Sequence, residues 1–161
     1  MKNVMLYLGG GSMMGIFGGG ILKRLSDERV YDKIETIYSV SAGAFNAAYF
    51  IAGHIKSEQI DIGASIYYEN LQEDFIFSDC VLPAARSRLM RRSGFNIEDR
   101  NVLNVVNVDH MMSVVRTTKI LDIEALNQST IPVYVKVFDL KEMRIVYLNL
   151  KEETLSLERC D

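Results

Sequence analysis

The chain has 161 residues, 48% of them hydrophobic and only two of them proline. That is enough for one modest α/β domain with a real core, is tight for two, and excludes a disordered chain. A formal net charge of −3 excludes a globally basic nucleic-acid binder, and two cysteines, Cys80 and Cys160, are too few for a disulfide framework and fit a reducing compartment.

Met1 and Lys2 precede an apolar run from Val4 to Leu22 that has the outline of a signal peptide or a membrane span. Glycines at 9, 10, 11, 15, 18, 19 and 20 argue against both, since either segment needs sustained leucine-type hydrophobicity. No small-x-small cleavage site with a polar start follows. The expectation is a chain that starts at its mature N-terminus and carries no transmembrane segment.

Asn3 to Leu8 is a short apolar run ending in glycines, the pattern of a buried first strand. Gly9 to Gly15 then reads as a turn into a helix ending near Leu25. Glycines 18 to 20 inside that helix each lose roughly 1 kcal/mol of helix propensity against alanine. Such a loss makes sense where another backbone passes close by, and the helix after Ser41 is the expected neighbour. Ser26 to Lys33 is polar and turns the chain back.

Ile34 to Val40 is rich in β-branched and aromatic residues and reads as a second buried strand. Ala42 to Ala52 has helical spacing and is expected to stop at Gly53, a natural residue just past a helix end. Ser41 lies between them with no room for a loop. A serine on so sharp a corner is forced into a strained backbone, its hydroxyl is pushed out of the sheet, and the following helix aims free N–H groups at the same spot. The corner tolerates only small neighbours, which Ser39, Ala42 and Gly43 supply, and Ser39 is expected to point into it. The same serine is also an ordinary helix N-cap candidate, and the pattern Ser39-x-Ser41-x-Gly43 alone leaves both readings open.

Further on, Ser57 is a candidate N-cap for a helix to about Leu71, with Ile60, Ala64, Tyr67 and Leu71 on one face. Periodicity fades from Glu73 to Arg100. Arg86, Arg88, Arg91 and Arg92 form a basic cluster that fits either an anionic headgroup contact or, more simply, a solvated helix face. Val102 to Thr118 reads as helical in part. Pro132 to Asp139 and Arg144 to Leu150 are strands joined as a hairpin by Leu140 to Met143. There is no internal repeat and no low-complexity segment.

The glycine turn is not a dinucleotide fingerprint, because Met14 stands where the third glycine would be, and no Gly-Lys-Ser/Thr follows for a phosphate loop. It suits acyl transfer better. A serine hydroxyl attacks a carbonyl, and the oxyanion that forms needs preorganised backbone donors. Glycines let a main chain approach closely and present successive N–H groups. With the two strands parallel neighbours, turn and elbow converge.

These residues resemble the patatin-like phospholipase family. The family's Gly-Gly-Gly-x-Arg-Gly turn and following Gly-Val-Leu align with Gly10-Gly11-Ser12-Met13-Met14-Gly15 and Gly20-Ile21-Leu22, its Gly-x-Ser-x-Gly-Ala with Ser39 to Ala44, and its Pro-x-x-Val-x-x-Thr-Asp-Leu with Pro132 to Leu140. The resemblance implies a three-layer α/β/α fold with a mostly parallel central sheet, spanning 1–161 as a single domain. It also implies hydrolysis of lipid acyl esters by a serine–aspartate dyad. Ser41 would be the nucleophile, and the N–H groups of Gly10, Gly11 and Ser12 would form the oxyanion hole. No cofactor or metal is implied, and neither His54 nor His110 is needed for catalysis. The partner would be a lipid or acyl ester, with a membrane surface as a possible setting and a cytoplasmic location.

Four departures stand out. Ser12 replaces a glycine, Met14 replaces the family's basic residue, Ser39 replaces the elbow's first glycine, and no Asp in the chain is followed by Gly. The family's general base sits in such an Asp-Gly turn, so the domain is expected to be C-terminally incomplete and residues 1–161 alone to be essentially inactive. Asp139 aligns with a position that is not the base, and Asp139 and Asp109 are the first substitutes to consider. A non-catalytic lipid-binding or interaction module that keeps the fold is the alternative, and a nucleotide-binding α/β protein is a third.

Overall fold

A computed structural model describes residues 4–71 and 106–151. The expectations for 72–105, including the basic cluster, and both cysteines lie outside the described residues. Strand β1 (Val4–Leu8) leads through the glycine turn into helix α1 (Gly15–Asp27), and β2 (Ile34–Ser39) into α2 (Ala42–Ile55) and α3 (Glu58–Glu69). After residue 106 come α4 (Val108–Thr117), α5 (Ile123–Gln128), β3 (Val133–Asp139) and β4 (Arg144–Asn149). The sheet order is β1-β2-β3-β4, with the first two pairings parallel and the hairpin antiparallel. This is the mixed α/β fold with a mostly parallel sheet that the sequence predicts.

Register explains which side of the sheet is covered. Leu6 pairs with Ile37 and Leu8 with Ser39, while Ile37 pairs with Val133 and Ser39 with Val135, so these side chains share one face. Leu22 and Leu25 of α1, Ala47 and Ile51 of α2, and Ala125 and Leu126 of α5 pack on that face. A second cluster joins Tyr49 of α2 to Ile66 and Tyr67 of α3 and Val114 of α4. On the other face Tyr38 stacks on Tyr134, with ring centroids 5.4 Å apart, and meets the edge of Tyr147 at 5.6 Å. Met5, Tyr7, Phe138 and Ile145 are exposed on that same face. The helices among the described residues thus supply one of the two helical layers expected.

Two local expectations need correction. Helix α2 runs through Gly53 to Ile55 rather than stopping at it. Gly53 serves packing instead, since a Cβ there would lie 2.4 Å from Ile60 Cγ1 on α3. The glycine run in α1 does not face a bare backbone of α2 either. Gly18 faces the Asn46 side chain, Gly19 faces Ala64 of α3, and Gly20 faces open space. The short helix α5 has no counterpart in the sequence reading, although Asp122 caps it by accepting from the Ala125 N–H at 2.8 Å. Ser57 does occupy the N-cap position of α3, without a side-chain capping bond.

Burial is the first cause of a raised phenol pKa at Tyr31 and Tyr67, each moved from an ordinary 10.0 to about 12. Tyr49 is raised for the same reason. The fold therefore binds more protons than the unfolded chain once the pH passes 10, and stability should be complete below that point and fall from there toward pH 12. The expected slope is about 1.4 kcal/mol per pH unit for each such tyrosine. Urea unfolding midpoints measured from pH 8 to 12 should drop over that window, and a flat profile would show that these phenols ionise alike in both states.

Candidate active site

Val40 and Ser41 are the two residues between β2 and α2, and Ser41 takes φ 54 and ψ −128. A non-glycine residue with positive φ costs on the order of 1–3 kcal/mol and persists only where its surroundings enforce it. Here they do. The Val40 N–H donates to the Leu8 carbonyl at 3.1 Å, the Gly43 N–H to Val40 at 3.0 Å and the Ala44 N–H to Ser41 at 2.8 Å. The corner is pinned on both sides of the serine. Ser41 makes no side-chain capping bond to α2, and the residue is exposed. Its hydroxyl is therefore not spent on helix capping.

The corner is close-packed around Gly43. A Cβ at that position would lie 2.2 Å from the Leu8 carbonyl oxygen and 2.6 Å from that of Gly9, both main-chain atoms at the end of β1. Ser39 is fully buried beneath the corner, and its hydroxyl donates to the Tyr134 carbonyl at 3.3 Å. The strand end, the glycine turn and the start of α2 are thereby held together.

The glycine turn reaches Ser41 directly. A Cβ on Gly10 would lie 2.9 Å from Ser41 Cβ and 3.5 Å from Ser41 Oγ, so the Gly10 backbone lies against the serine side chain. Ser12 opens a short 3-10 turn, Ser12–Met14, with φ 51, and the Met14 N–H closes it on the Gly11 carbonyl at 3.0 Å. Among the described residues four non-glycine positions have positive φ, namely Ser12, Arg29, Ser41 and Met143. Two of these, Ser12 and Ser41, line one cavity.

That cavity has a volume of about 290 Å³. Ser12, Ser41 and Ala42 border it together with Phe45 of α2, Tyr67 of α3 and Leu71, and with Val106, Val108 and Met111 at the start of α4. Apart from the two serine hydroxyls and the Tyr67 phenol, its described wall is hydrocarbon and aromatic, suited to an apolar chain. The Ala42 N–H at the head of α2 has no acceptor among the described residues, as the sequence leads one to expect of the helix that follows Ser41. Phe45, Tyr67 and Met111 were missed. They come from three separate helices and share no sequence motif.

The other residues considered from sequence lie elsewhere. Asp139 accepts from the N–H groups of Lys141 and Glu142 and shapes the hairpin turn. Asp109 is exposed in the first turn of α4, between Val108 and Met111 of the cavity wall. His54 stacks on Tyr31 with its Nδ1 3.3 Å from Ser129 Oγ, and His110 Nε2 lies 2.8 Å from the Asn70 carbonyl. Among the described residues no carboxylate or imidazole lines the Ser41 cavity, and no group of acidic, histidine or cysteine side chains could hold a metal ion.

The sequence model of the patatin-like phospholipase family matches residues 6–146, which includes the glycine turn, the Ser41 corner and the hairpin. The chain belongs to that family. Membership places this patatin-like domain, at family level, among hydrolases that act on the acyl esters of lipids. No curated protein and no solved structure gives a match to it. No helix among the described residues is long and apolar enough to cross a membrane.

The close approach at Gly43 should be intolerant of any side chain. Gly43→Ala is expected to lower stability by at least about 1–3 kcal/mol, as overpacking against main chain does, and Ser39→Leu by a similar amount. Ser39→Gly should be tolerated. Thermal melts of the three variants check this, and an unchanged midpoint in Gly43→Ala or Ser39→Leu would mean the corner is open.

Proposed function

We propose that this patatin-like domain is a serine acyl hydrolase for lipid esters, with Ser41 as nucleophile and the N–H groups of Gly10, Gly11 and Ser12 as oxyanion donors. The observation that carries the reading is the backbone of Ser41. It is strained, pinned by its neighbours, uncapped, and open to an apolar cavity with the glycine turn against its side chain.

The chemistry follows from the arrangement. Ser41 Oγ attacks the ester carbonyl carbon while a base takes the hydroxyl proton. Negative charge gathers on the former carbonyl oxygen, where backbone donors from the turn, and the Ala42 N–H, would stabilise it; losing one such donor costs roughly 2.7–4 kcal/mol. Collapse of the tetrahedral intermediate expels the alcohol, which takes a proton as it leaves. Water then attacks the acyl-serine carbonyl in the same site and regenerates the hydroxyl. The acyl chain would lie in the cavity along Phe45, Leu71 and Met111. No step requires a cofactor or metal. The lipid would be presented from a membrane surface to a cytoplasmic protein.

One observation favours a second reading. No described carboxylate or imidazole stands at Ser41, and general-base assistance contributes about 10²–10⁴-fold in rate. A lipid-binding module that keeps the cavity and lacks the base is therefore the alternative. If a described acid serves as base, Asp109 is better placed than Asp139, whose carboxylate is committed to the hairpin turn.

A fluorophosphonate probe separates the two readings, because only an activated serine displaces the fluoride. In a protein that carries the base, covalent labelling that disappears in Ser41→Ala, together with p-nitrophenyl ester hydrolysis lost in the same variant, is the expected result. A folded chain that binds lipid vesicles and neither labels nor hydrolyses would establish the binding module instead.

A further inference from the structure

Asn46 lies on α2, one and a half turns after Ser41, and is only 7% exposed. Its Nδ2 donates to the Gly15 carbonyl at 2.8 Å, and its Oδ1 accepts from the Tyr67 hydroxyl at 2.9 Å. A carbonyl can only accept, so the amide must turn its nitrogen to Gly15 and its oxygen to Tyr67, and the phenol must donate. Every polar atom of the chain is committed in one direction.

Glycines on α1 make room for this. A Cβ at Gly18 would lie 3.1 Å from Asn46 Nδ2, and one at Gly15 would lie 2.4 Å from the Tyr67 hydroxyl oxygen. The run that weakens α1 as a helix thus opens a slot through which two side chains from other helices reach its first turn. What they grip is the end of the oxyanion segment. Gly15 directly follows the 3-10 turn Ser12–Met14, which closes on Gly11. Tyr67 meanwhile faces the same cavity as Ser12 and Ser41.

We propose that Asn46 and Tyr67 are positioning residues, and that the hydrogen-bond chain from Tyr67 through Asn46 to the Gly15 carbonyl sets the height of the Gly10–Ser12 turn over Ser41. Its catalytic consequence rests on the acyl-hydrolase reading. Its structural content does not. Ser41 directly precedes α2 and Asn46 lies on it, so the distance between hydroxyl and oxyanion donors is fixed by a rigid helix rather than by a free loop. A misplacement of about 1 Å in such a site can cost about 10²-fold in rate.

The test uses the full chain and three variants, Asn46→Ala, Tyr67→Phe and, as control, Tyr49→Phe. Tyr49 is also a buried phenol of this helical cluster, but its hydroxyl donates to the Lys119 carbonyl, away from the turn. Two readouts are taken at a temperature where circular dichroism shows all four proteins folded: hydrogen exchange of the peptide covering residues 9–15, and the rate of fluorophosphonate labelling at Ser41. Asn46→Ala and Tyr67→Phe should accelerate exchange in 9–15 and slow labelling by about 10- to 100-fold. Tyr49→Phe should lose thermal stability with both readouts unchanged. Unchanged exchange in Tyr67→Phe, which keeps the ring and the fold, overturns the proposal, as does equal acceleration in Tyr49→Phe. Accelerated exchange in a chain whose parent never labels at Ser41 would uphold the clamp and count against the hydrolase reading.

Discussion

Residue 43 has no space for a side chain, and most of the site follows from that. The carbonyl oxygens of Leu8 and Gly9 lie where its Cβ would be, so α2 crosses the end of β1 at main-chain contact. The crossing delivers the glycine turn to the head of α2. It also leaves only Val40 and Ser41 in which to change from strand to helix, and Ser41 takes the positive φ. Strain at one residue is sustained by ordinary hydrogen bonds at its neighbours Val40, Gly43 and Ala44.

Buried phenols supply a second layer of order. Tyr31 donates to the Phe50 carbonyl, Tyr49 to that of Lys119, and Tyr67 to the Asn46 side chain. Each joins elements distant in sequence, and each satisfies a polar group that would otherwise be costly in the core. Surface ion pairs such as Lys23–Asp61 and Lys56–Asp122 bridge some of the same elements, but exposed pairs add little. The tyrosines are the stronger fixtures because water does not compete for their bonds.

The sequence made the sheet legible where the pattern was local. Val4 to Leu8, Ile34 to Ser39 and the hairpin strands fall within a residue or two of expectation, because short apolar runs bounded by turn residues admit few alternatives. The corner at Ser41 was legible for a similar reason: strand and helix signals abut with no residues to spare. Glycine was the misleading residue. Gly53 has the look of a helix stop and is a packing notch for Ile60, while in α1 Gly18 and Gly19 face Asn46 of α2 and Ala64 of α3. Which of a glycine's two properties is in use, its conformational freedom or its missing side chain, depends on partners remote in sequence. The cavity was illegible for the same reason, since Phe45, Tyr67 and Met111 become neighbours only through tertiary packing.

The two halves of acyl transfer make different demands on a fold, and the proposed site would meet them unequally. Stabilising an oxyanion requires donors fixed relative to the nucleophile to a fraction of an ångström, which favours contiguous, rigid main chain. Residues 8–15 and 39–46 are held by a crossing at main-chain contact and a buried amide, the rigidity that the proposed oxyanion site would need. Accepting a proton requires only one basic group within reach, and that group can come from any part of a chain. The oxyanion half therefore leaves a compact signature of glycines and small residues, readable both in the sequence and in the packing around Gly43. The base leaves a single side chain whose meaning depends on where the rest of the protein places it. Met14 stands where the resemblance sets a basic residue, so in the proposed mechanism no side-chain cation at that position would help and the oxyanion would depend on the N–H groups of the turn and of Ala42. Their placement relative to Ser41 would then govern how well an acyl carbonyl entering the cavity is polarised.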